Sequence, residues 1–194
     1  MVGVTLHQRE NGAVLGQMRT IWQALLWSMR FPGQSFTLKN ASGVPLRSPH
    51  NLIAVGRAVL DAQTGFYTPH PQLAQVLHDV GAPFLPSSSA LYHFYPWLTQ
   101  RDLADVALAQ IGDKDRPDSA ATLIIACDLT GGTPIFLSDA RQLPVGTLTV
   151  AGVPAHFWSL RAQHCHGATG WDIYLVSDDQ IVGLPRSLHV DLGD

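Results

Sequence analysis

Apolar residues recur at intervals of three and four along several stretches of the chain. The clearest stretch lies at residues 18–29, where the apolar residues fall on one helical stripe: Met18, Ile21, Trp22, Leu25, Leu26 and Met29. Such spacing predicts an amphipathic helix that packs one face against a core. Phe31-Pro32-Gly33 is predicted to end this helix. The same reasoning predicts further helices over 49–61, 70–80, 99–110 and 154–163. Ser48 is predicted to cap the first of these, with Pro49 at its first helical position.

Short runs rich in β-branched and aromatic residues lie between the predicted helices and predict strands. In the last third of the chain turns follow one another closely, which predicts hairpins. Gly131-Gly132 is predicted to be one hairpin turn, because consecutive glycines supply the positive φ angles of such turns, and residues 177–180 another. The alternation predicts an α/β fold with a mixed sheet. The predicted strands are 35–38, 65–68, 90–95, 122–127, 134–138, 147–150, 171–176, 181–184 and 188–191, the last as an extension of the sheet.

Composition adds a low charge content to this picture. Charged residues make up 14% of the 194 residues, against about 25% in a typical soluble domain. Interface centres are depleted in Lys and Glu, so part of the sparsely charged surface is predicted to contact other subunits. Much of the charge lies in 112–119, a predicted solvated loop. Length favours one domain at 17–194, preceded by an N-terminal arm at 1–16 that has no sustained period.

Charge and hydropathy also exclude several classes of protein. The net charge is −3 and no basic cluster occurs, which argues against a nucleic-acid partner. No apolar run reaches 18 residues, so no membrane-spanning helix is expected. No secretory signal is visible, and the two cysteines indicate no disulfide framework, so a cytoplasmic location is expected.

Common catalytic signatures are missing from the sequence. There is no nucleophile elbow and no glycine-rich phosphate-binding motif. The two lysines, Lys39 and Lys114, lack the apolar setting that would depress a lysine pKa, so Schiff-base chemistry and a pyridoxal cofactor are not expected. Cys127 ends an apolar strand and is expected to be an inert buried thiol. His50, His70, His78, His93 and His189 are scattered singly.

A metal-binding module is one alternative function. His164-Cys165-His166 offers three adjacent ligands, and His156 lies upstream. Neighbouring side chains on an extended segment point in opposite directions, so one ion cannot easily use all three. No metal site is therefore predicted.

Asp172 and Arg186 lie in or beside apolar strands of the last hairpin. An Asp among such residues would be costly if it were buried without a partner. Arg186 could satisfy it, which is a structural role, or could bind an anion through its guanidinium fork. With Asp61, these residues would serve the second alternative, a stand-alone enzyme for a small molecule or anion.

The segments at 170–176 and 181–187 resemble the C-terminal signature of the PhnH subunit of bacterial carbon–phosphorus lyase. The first contains Gly-Trp-Asp and an apolar run, and the second contains Leu-Pro-Arg-Ser. Three other segments agree with the family in order: 22–33, with its terminal Pro-Gly, 60–64, and 117–123. Together they extend from about residue 20 to 191. The chain departs from the family pattern at Gln23, Ala120, 138–141 (where the family has Gly-Pro-Gly) and Leu188.

The resemblance implies a three-layer α/β/α domain with a mixed sheet. It is similar in topology to the pyridoxal-phosphate transferase fold but without that cofactor. The family implies a homodimer that joins the other core subunits of carbon–phosphorus lyase, with a phosphonate or nucleotide bound within that complex. The complex exchanges the adenine of ATP for an alkylphosphonate and forms a ribose 1-phosphonate 5-triphosphate. No catalytic residue is predicted; the candidate ligand-binding or structural polar residues are Asp61, Thr64, Asp172 and Arg186.

Overall fold

The computed structural model describes residues 3–40, 42–46 and 49–193, with side chains from residue 16 onward. A short 3-10 helix at Pro117–Ser119 precedes the central strands. The helices are α1 Gly3–Arg30, α2 His50–Val59, α3 Pro71–His78, α4 Leu103–Ala107 and α5 Ala155–His164. The strands are β1 Ser35–Thr37, β2 Phe66–Tyr67, β3 Tyr92–Tyr95, β4 Thr122–Ala126, β5 Asp128–Ser138, β6 Pro144–Ala151, β7 Asp172–Ser177, β8 Gln180–Leu184 and β9 His189–Leu192.

Six strands form the main sheet, in the order β1-β8-β7-β4-β3-β2. Strands β2, β3, β4 and β7 are parallel neighbours, whereas β8 pairs antiparallel with both β7 and β1. The sheet is therefore mixed, as the sequence predicted. Its four parallel strands have all their amino ends at one edge and all their carboxyl ends at the other.

Side chains of the central strands alternate between two apolar clusters. On β4, Ile124 packs with α1 and α2, whereas Leu123 and Ile125 pack with α4, α5 and the smaller sheet. This alternation follows from the two-residue period of a strand. Helices therefore cover both faces of the mixed sheet, which confirms the predicted α/β class. The second face also carries a three-stranded sheet in the order β6-β5-β9.

Helix α1 packs on the sheet through only part of the predicted stripe, because Trp22 and Leu26, which were expected to face the core, are exposed. Ile21 and Leu25 are buried, and the helix ends before Gly33, which has a φ of 77°. The helix lies so close to β8 that a Cβ at Gly183 would come within 2.6 Å of the backbone of Ser28. The segment predicted to be an arm is helical from Gly3 onward. Once a helix is nucleated, each further residue adds a hydrogen bond, so a weakly periodic segment can extend a packed helix. The domain boundary after residue 16 stays a prediction.

The hairpin turn predicted at Gly131-Gly132 is wrong. The chain passes through these residues within β5, whose pairing with β6 jumps from Asp128 to Thr133. Gly132 has a φ of 95°, and a Cβ there would lie 2.4 Å from the carbonyl oxygen of Val150. Its glycine serves this irregular crossing and not a reversal of the chain.

The reversal between β5 and β6 comes later, where the family pattern has Gly-Pro-Gly. Asp139 Oδ1 accepts hydrogen bonds from the backbone N–H groups of Arg141 and Leu143, at 2.8 and 2.9 Å. Gln142 adopts a φ of 63°, which a glycine would adopt more easily. An aspartate-based turn thus replaces the glycine-rich one.

The strand predicted at 188–191 exists but does not extend the main sheet. It pairs with β5 in the smaller sheet. The start of α2 was predicted at Ser48-Pro49. Pro49 is the residue that precedes its first turn, and Ser48 lies outside the described residues. In the part of the chain that the structure describes, no helix combines the length and apolarity needed to cross a membrane.

Candidate functional site

The last hairpin places Asp172 and Arg186 side by side. Asp172 begins β7, and Arg186 follows β8 by two residues. Arg186 Nη2 lies 2.6 Å from Asp172 Oδ2, and Nε lies 3.3 Å from Oδ1. The backbone N–H of Arg186 also donates to Oδ1, at 2.9 Å. The carboxylate therefore accepts three hydrogen bonds from one residue, which is a strong bidentate arrangement.

The third nitrogen of this guanidinium binds another segment. Nη1 donates to the carbonyl oxygen of Pro117, at 2.7 Å. The side chains of Arg186 and Asp172 are only 17% and 27% exposed. We name Asp172, Arg186 and the Pro117 carbonyl the latch, because they hold β7, the segment after β8 and the 3-10 helix together. Of the two roles considered from the sequence, the geometry present is the structural pairing, and the fork is occupied.

A second arginine also binds the segment that follows β8. Arg161, on α5, is buried and donates through Nη1 to the carbonyl of Leu188 and through Nη2 to that of Pro185, at 2.8 and 2.9 Å. Sequence reasoning did not single out Arg161. Its signal was its place directly after the apolar positions of α5, Phe157 and Trp158, which are buried too.

Asp61 and Thr64 form a local turn after α2. Asp61 Oδ1 accepts hydrogen bonds from the Thr64 hydroxyl at 2.7 Å and the backbone N–H of Gln63 at 2.8 Å. These bonds, the hydroxyl first, lower the pKa of Asp61. The carboxylate also borders an apolar cleft of about 450 Å³ between α1, α2 and α3. The hydrogen bonds of Asp61 form an Asx turn, and this turn fixes the conformation of the residues that lead into β2.

The four predicted residues are not brought together. Both pairs lie at the amino edge of the parallel strands, since Asp172 begins β7 and Asp61-Thr64 precede β2. Strands β4 and β3 lie between β7 and β2. Three strand spacings amount to about 14 Å. The four residues therefore occupy two separate positions along this edge of the sheet.

A different group of residues surrounds a cleft at the carboxyl edge. In open α/β sheets ligands bind at this edge, where the loops after the strands diverge. The cleft has a volume of about 500 Å³. We name it the carboxyl-edge cleft. Its polar lining comes from the start of α2, the ends of β4 and β7, and β5: Asn51, Cys127, Asp128, Thr130, Ser177 and Asp178.

Asn51 fixes the wall between α2 and the β7–β8 turn. It is fully buried, and its Nδ2 donates to the carbonyl of Asp178 at 2.5 Å. Its Oδ1 accepts from the backbone N–H of Leu52, at 2.7 Å. Asp178 has a φ of 46°, a conformation that Asp tolerates better than most residues. The helix start and the turn are therefore held in one arrangement, with the Asp178 residue at the cleft rim.

Cys127 and Asp128 continue from β4 into the cleft. Burial, and secondarily the charge of Asp128, raises the pKa of the Cys127 thiol to about 12. The thiol is therefore protonated at neutral pH, which agrees with its expected inertness and disfavours covalent catalysis. Asp128 is exposed and accepts from the hydroxyl and N–H of Thr130, which lower its pKa. The cleft thus offers an ionised carboxylate beside a neutral thiol.

Side chains of β2, β3 and α4 form a largely buried polar cluster. The Tyr67 hydroxyl donates to Asp105 Oδ2 at 2.7 Å, and the Tyr95 hydroxyl lies 3.5 Å from His93 Nδ1. Burial lowers the pKa of His93 to about 4, so the ring is neutral at physiological pH. Burial also raises the pKa of both tyrosines. A neutral histidine inside this network braces the core.

The histidines of the metal alternative are dispersed. The His164 ring stacks on Trp171 with centroids 4.7 Å apart, and His166 Nε2 lies 2.8 Å from the Gln163 carbonyl. Cys165 is buried, whereas His156 is exposed. Among the described side chains, no group of three or more His, Cys, Asp or Glu residues is placed to hold a metal ion.

Both lysines lie away from the carboxyl-edge cleft. Lys39 and Lys114 are exposed, Lys114 within the charged loop. Neither belongs to the cleft lining. The described residues of the cleft therefore present no amine that could form a Schiff base with a pyridoxal cofactor.

Sequence reasoning did not propose the carboxyl-edge cleft as a site. The available signal was the polar residues that directly follow two buried strands, Asp128 after β4 and Asp178 after β7. Their proximity depends on the parallel pairing of β4 with β7. Forty-five residues lie between the two strands, so only the tertiary structure shows that the two polar ends meet.

Comparison with known proteins extends the resemblance seen in the sequence. The family described as bacterial phosphonate metabolism protein (PhnH) matches residues 14–191. A Stutzerimonas stutzeri protein named as the C-P lyase subunit protein HtxG is 27% identical over 88 residues. That alignment covers 44% of this chain and spans 45% of the relative's length. The family match covers all four resembling segments and most of the chain, and so the chain belongs to the PhnH family of bacterial phosphonate metabolism proteins.

Proposed function

We propose that this protein is a subunit of a carbon–phosphorus lyase core complex. It supports the transfer of an alkylphosphonate onto the ribose of ATP, with release of adenine, to give a ribose 1-phosphonate 5-triphosphate. The observation that carries the proposal is the family match over residues 14–191. The similarity to a protein named as a C-P lyase subunit points the same way.

The structure supports a non-catalytic or co-catalytic part in this reaction. Asp172 and Arg186, the most distinctive polar residues of the family-like motifs, are bonded to each other in the latch. The Cys127 thiol is protonated at neutral pH. The described residues thus offer no activated nucleophile at the carboxyl-edge cleft. A subunit that shapes a site or holds a substrate fits this arrangement better than an enzyme that acts alone.

Contact with a phosphonate or nucleotide within the complex belongs at the carboxyl-edge cleft. That edge is where α/β sheets bind ligands. The cleft volume of about 500 Å³ lies within the range of small-molecule sites. The ionised Asp128 at its wall can accept hydrogen bonds from the ribose hydroxyls or the adenine amino group of a nucleotide, which favours the nucleotide over the anionic phosphonate as its ligand. The isolated chain is proposed to be a homodimer and to lie in the cytoplasm. Its topology is proposed to be similar to that of the pyridoxal-phosphate transferases, without their cofactor.

Growth on phosphonates tests the proposed function. A strain that lacks this gene should fail to grow with an alkylphosphonate as the only phosphorus source and should grow normally on inorganic phosphate. The wild-type gene should restore growth, and the chain should co-purify with the other core subunits. Unimpaired growth of the deletion strain, together with clean failure to co-purify, would refute the proposal.

The cleft assignment is tested in the same strain. Asp128→Asn should slow growth on the phosphonate, whereas the matched control Asp115→Asn, in the exposed charged loop, should not. Equal growth of both variants would remove the cleft from the proposed function while leaving membership of the complex intact.

Neither alternative function has a geometric observation in its favour. A stand-alone enzyme would need Arg186 or Asp172 free to contact a ligand, but each bonds the other. A metal-binding module would need the histidines to converge. Zinc analysis of the untagged protein and an assay of the purified chain with ATP and a phosphonate test these alternatives directly.

A further inference from the structure

The outward side of α1 exposes large apolar residues. Trp22, Leu26 and Trp27 are 48%, 66% and 46% exposed. Successive residues of a helix are about 100° apart, so Leu26 and Trp27 lie on the side turned away from the buried Ile21 and Leu25, and Trp22 lies at the border between the two sides. The surface formed by these side chains and the polar residues between them is named the α1 face. Its members are Arg19, Trp22, Gln23, Leu26, Trp27 and Arg30.

An aromatic row continues from this face toward the edge strand β1. The Trp27 and Phe31 rings are stacked with centroids 5.6 Å apart, and Phe31 and Phe36 follow at 6.5 Å. Large aromatic side chains bury 150–250 Å² each, so half-exposed ones together present roughly 400 Å² of apolar surface. A patch of this size is comparable to the largest apolar patch of a typical monomer, which is often a functional surface. Trp is also the residue type most enriched at binding hot spots.

The charged residues of the α1 face itself are positive, and the neighbouring carboxylate residues lie outside it: Asp61 and Asp79 border a cleft with Gln17 of α1, and Asp179 lies beside the end of β1. Arg19, Arg30 and Lys39 are exposed, and Lys39 borders a groove with Trp27 and Phe36. The sequence has no Asp or Glu from residue 11 to 60, a segment that contains five Arg or Lys residues and so carries a charge of +5. Residues 61–194 contain 14 Asp and 6 Arg or Lys, a charge of −8. The cations are thus concentrated in one part of an acidic chain.

This distribution decides which partner suits the face. In a two-fold contact between identical chains the same patch meets itself. The cations of one α1 face would then approach those of the other, and residues 11–60 supply no carboxylate to offset them. Complementary charge across an interface favours association and suppresses wrong partners. A partner with Asp and Glu around an apolar centre fits, whereas a second copy does not.

We propose that the α1 face docks a non-identical subunit through an apolar surface rimmed by Asp and Glu side chains. The proposal rests on the proposed function, because membership of a core complex supplies such a subunit. It goes beyond membership by assigning one surface of the chain and the chemistry of what covers it.

Co-expression of the full chain with the other core subunits tests the docking surface. One of those subunits carries the affinity tag, and the amount of this chain recovered is measured. The variants are Trp22→Ala with Trp27→Ala, and Arg19→Glu with Arg30→Glu. Each pair should reduce recovery at least about tenfold, as expected for hot-spot residues. Recovery of the wild type should also fall as salt is added.

Two matched controls lie on other surfaces. Phe136, on β5, is 48% exposed, like Trp22, and Arg141 is an exposed cation in the β5–β6 turn. Phe136→Ala and Arg141→Glu should leave recovery within about twofold of the wild type. Arg19→Glu with Arg30→Glu replaces only exposed side chains and should keep the urea midpoint of the wild type, so this variant separates lost docking from lost folding. The tryptophan pair is half-buried and Trp27 stacks on Phe31, so that variant should be less stable, and its recovery is compared with the fraction that stays folded in urea unfolding of the isolated chain.

The possible outcomes are distinct. Normal recovery of both α1-face variants overturns the docking inference while the proposed function stands. Conversion of the isolated chain from dimer to monomer by Trp22→Ala with Trp27→Ala shows that a second copy covers the face, which also overturns it. If the wild-type chain co-purifies with none of the core subunits, and the strain that lacks its gene grows on a phosphonate, the proposed function fails. The docking inference then fails with it.

Discussion

The amino and carboxyl edges of the main sheet use their polar side chains in opposite ways. At the amino edge the carboxylate of Asp172 accepts three hydrogen bonds from Arg186, and the fourth bond of the network goes to Pro117. At the carboxyl edge Asp128 and Asp178 border a cleft of about 500 Å³. The residues that stand out in the sequence are therefore bonded among themselves, and unremarkable residues surround the open space.

This difference has a topological cause. A tight hairpin joins β7 to β8, so the residues before β7 and after β8 must meet at the amino edge. An Asp and an Arg placed there find each other without any further element. At the carboxyl edge the chain leaves β4 for the smaller sheet and leaves β7 for the β8 turn. The divergence leaves a cavity that none of the described side chains fills.

The largest effect is expected in the pH dependence of stability, and it comes from a buried histidine of the main sheet. His93 on β3 has a folded-state pKa of about 4, below the ordinary value of 6.5, because it is buried. Between about pH 6.5 and 4 the unfolded chain binds a proton at His93 and the folded chain does not. The free energy of unfolding should therefore fall as the pH drops through this range. The loss should reach roughly 3 kcal/mol. Urea unfolding of wild type and His93→Gln across this range measures it.

The contrast between wild type and variant is the decisive readout. The difference in unfolding free energy between the two proteins should shrink steadily toward low pH. A constant difference would show that His93 binds its proton as readily in the folded protein as in the unfolded chain. The charge of a residue such as Asp105 would then stabilise the protonated ring of His93, and the buried cluster would contain an ion pair.

Breaking the latch should give the next largest effect. Asp172→Ala leaves the half-buried guanidinium and backbone N–H of Arg186 without their acceptor. Hydrogen bonds to charged groups contribute about 1.5–3 kcal/mol, so a loss of about 2.5 kcal/mol is expected. Urea unfolding measures it, with the exposed Asp191→Ala as the control. A loss no larger than that of the control would mean that the latch is not structural, and would return Asp172 to the candidates for ligand contact.

The thiol at the carboxyl-edge cleft should react slowly. With a pKa of about 12, Cys127 has far less thiolate at pH 7.5 than a free cysteine. The greater nucleophilicity of a more basic thiolate offsets part of this, so alkylation should be roughly fiftyfold slower. Iodoacetamide labelling of a Cys165→Ser protein, compared with free cysteine, measures the rate. Labelling as fast as free cysteine would show that the cleft stabilises an anion, which would favour a catalytic role.

Removal of the cleft wall should have the smallest measurable effect on stability. Asn51→Ala deletes the bonds to the Asp178 carbonyl and the Leu52 N–H, which should cost about 1–2 kcal/mol. Asp61→Ala, which opens an exposed turn at the other edge, should leave the urea midpoint almost unchanged. If Asn51→Ala proves as silent as Asp61→Ala, the cleft wall is not held by this side chain.

Local pattern was enough to predict most individual elements. The stripe of Ile21 and Leu25 predicted α1, and the apolar run at 122–127 predicted β4, because each signal lies within one element. The turn at Gly131-Gly132 failed for the opposite reason. Two glycines indicate a need for unusual φ angles, but the partner that creates the need, the backbone at Val150, lies far along the chain.

The candidate site shows the same division between local and distant information. The pairing of Asp172 with Arg186 followed from one hairpin and was among the roles weighed from the sequence. The partners of Asn51 and Asp128 are set by contacts between α2, β4, β5 and β7. Polar residues at strand ends are common, so nothing in their identity separates a cleft wall from an ordinary loop.

Sequence alone determined the α/β class, the positions of most helices and strands, the Asp172–Arg186 pairing as a candidate, and the resemblance to the PhnH family. These depend on short-range periodicity, on turn chemistry and on ordered motifs. Tertiary structure alone decided that β9 joins the smaller sheet, that the four predicted site residues lie in two separate places, and that the cleft opens at the carboxyl edge. Each of these depends on which distant segments pair, because strand pairing and packing bring together groups that no local pattern connects.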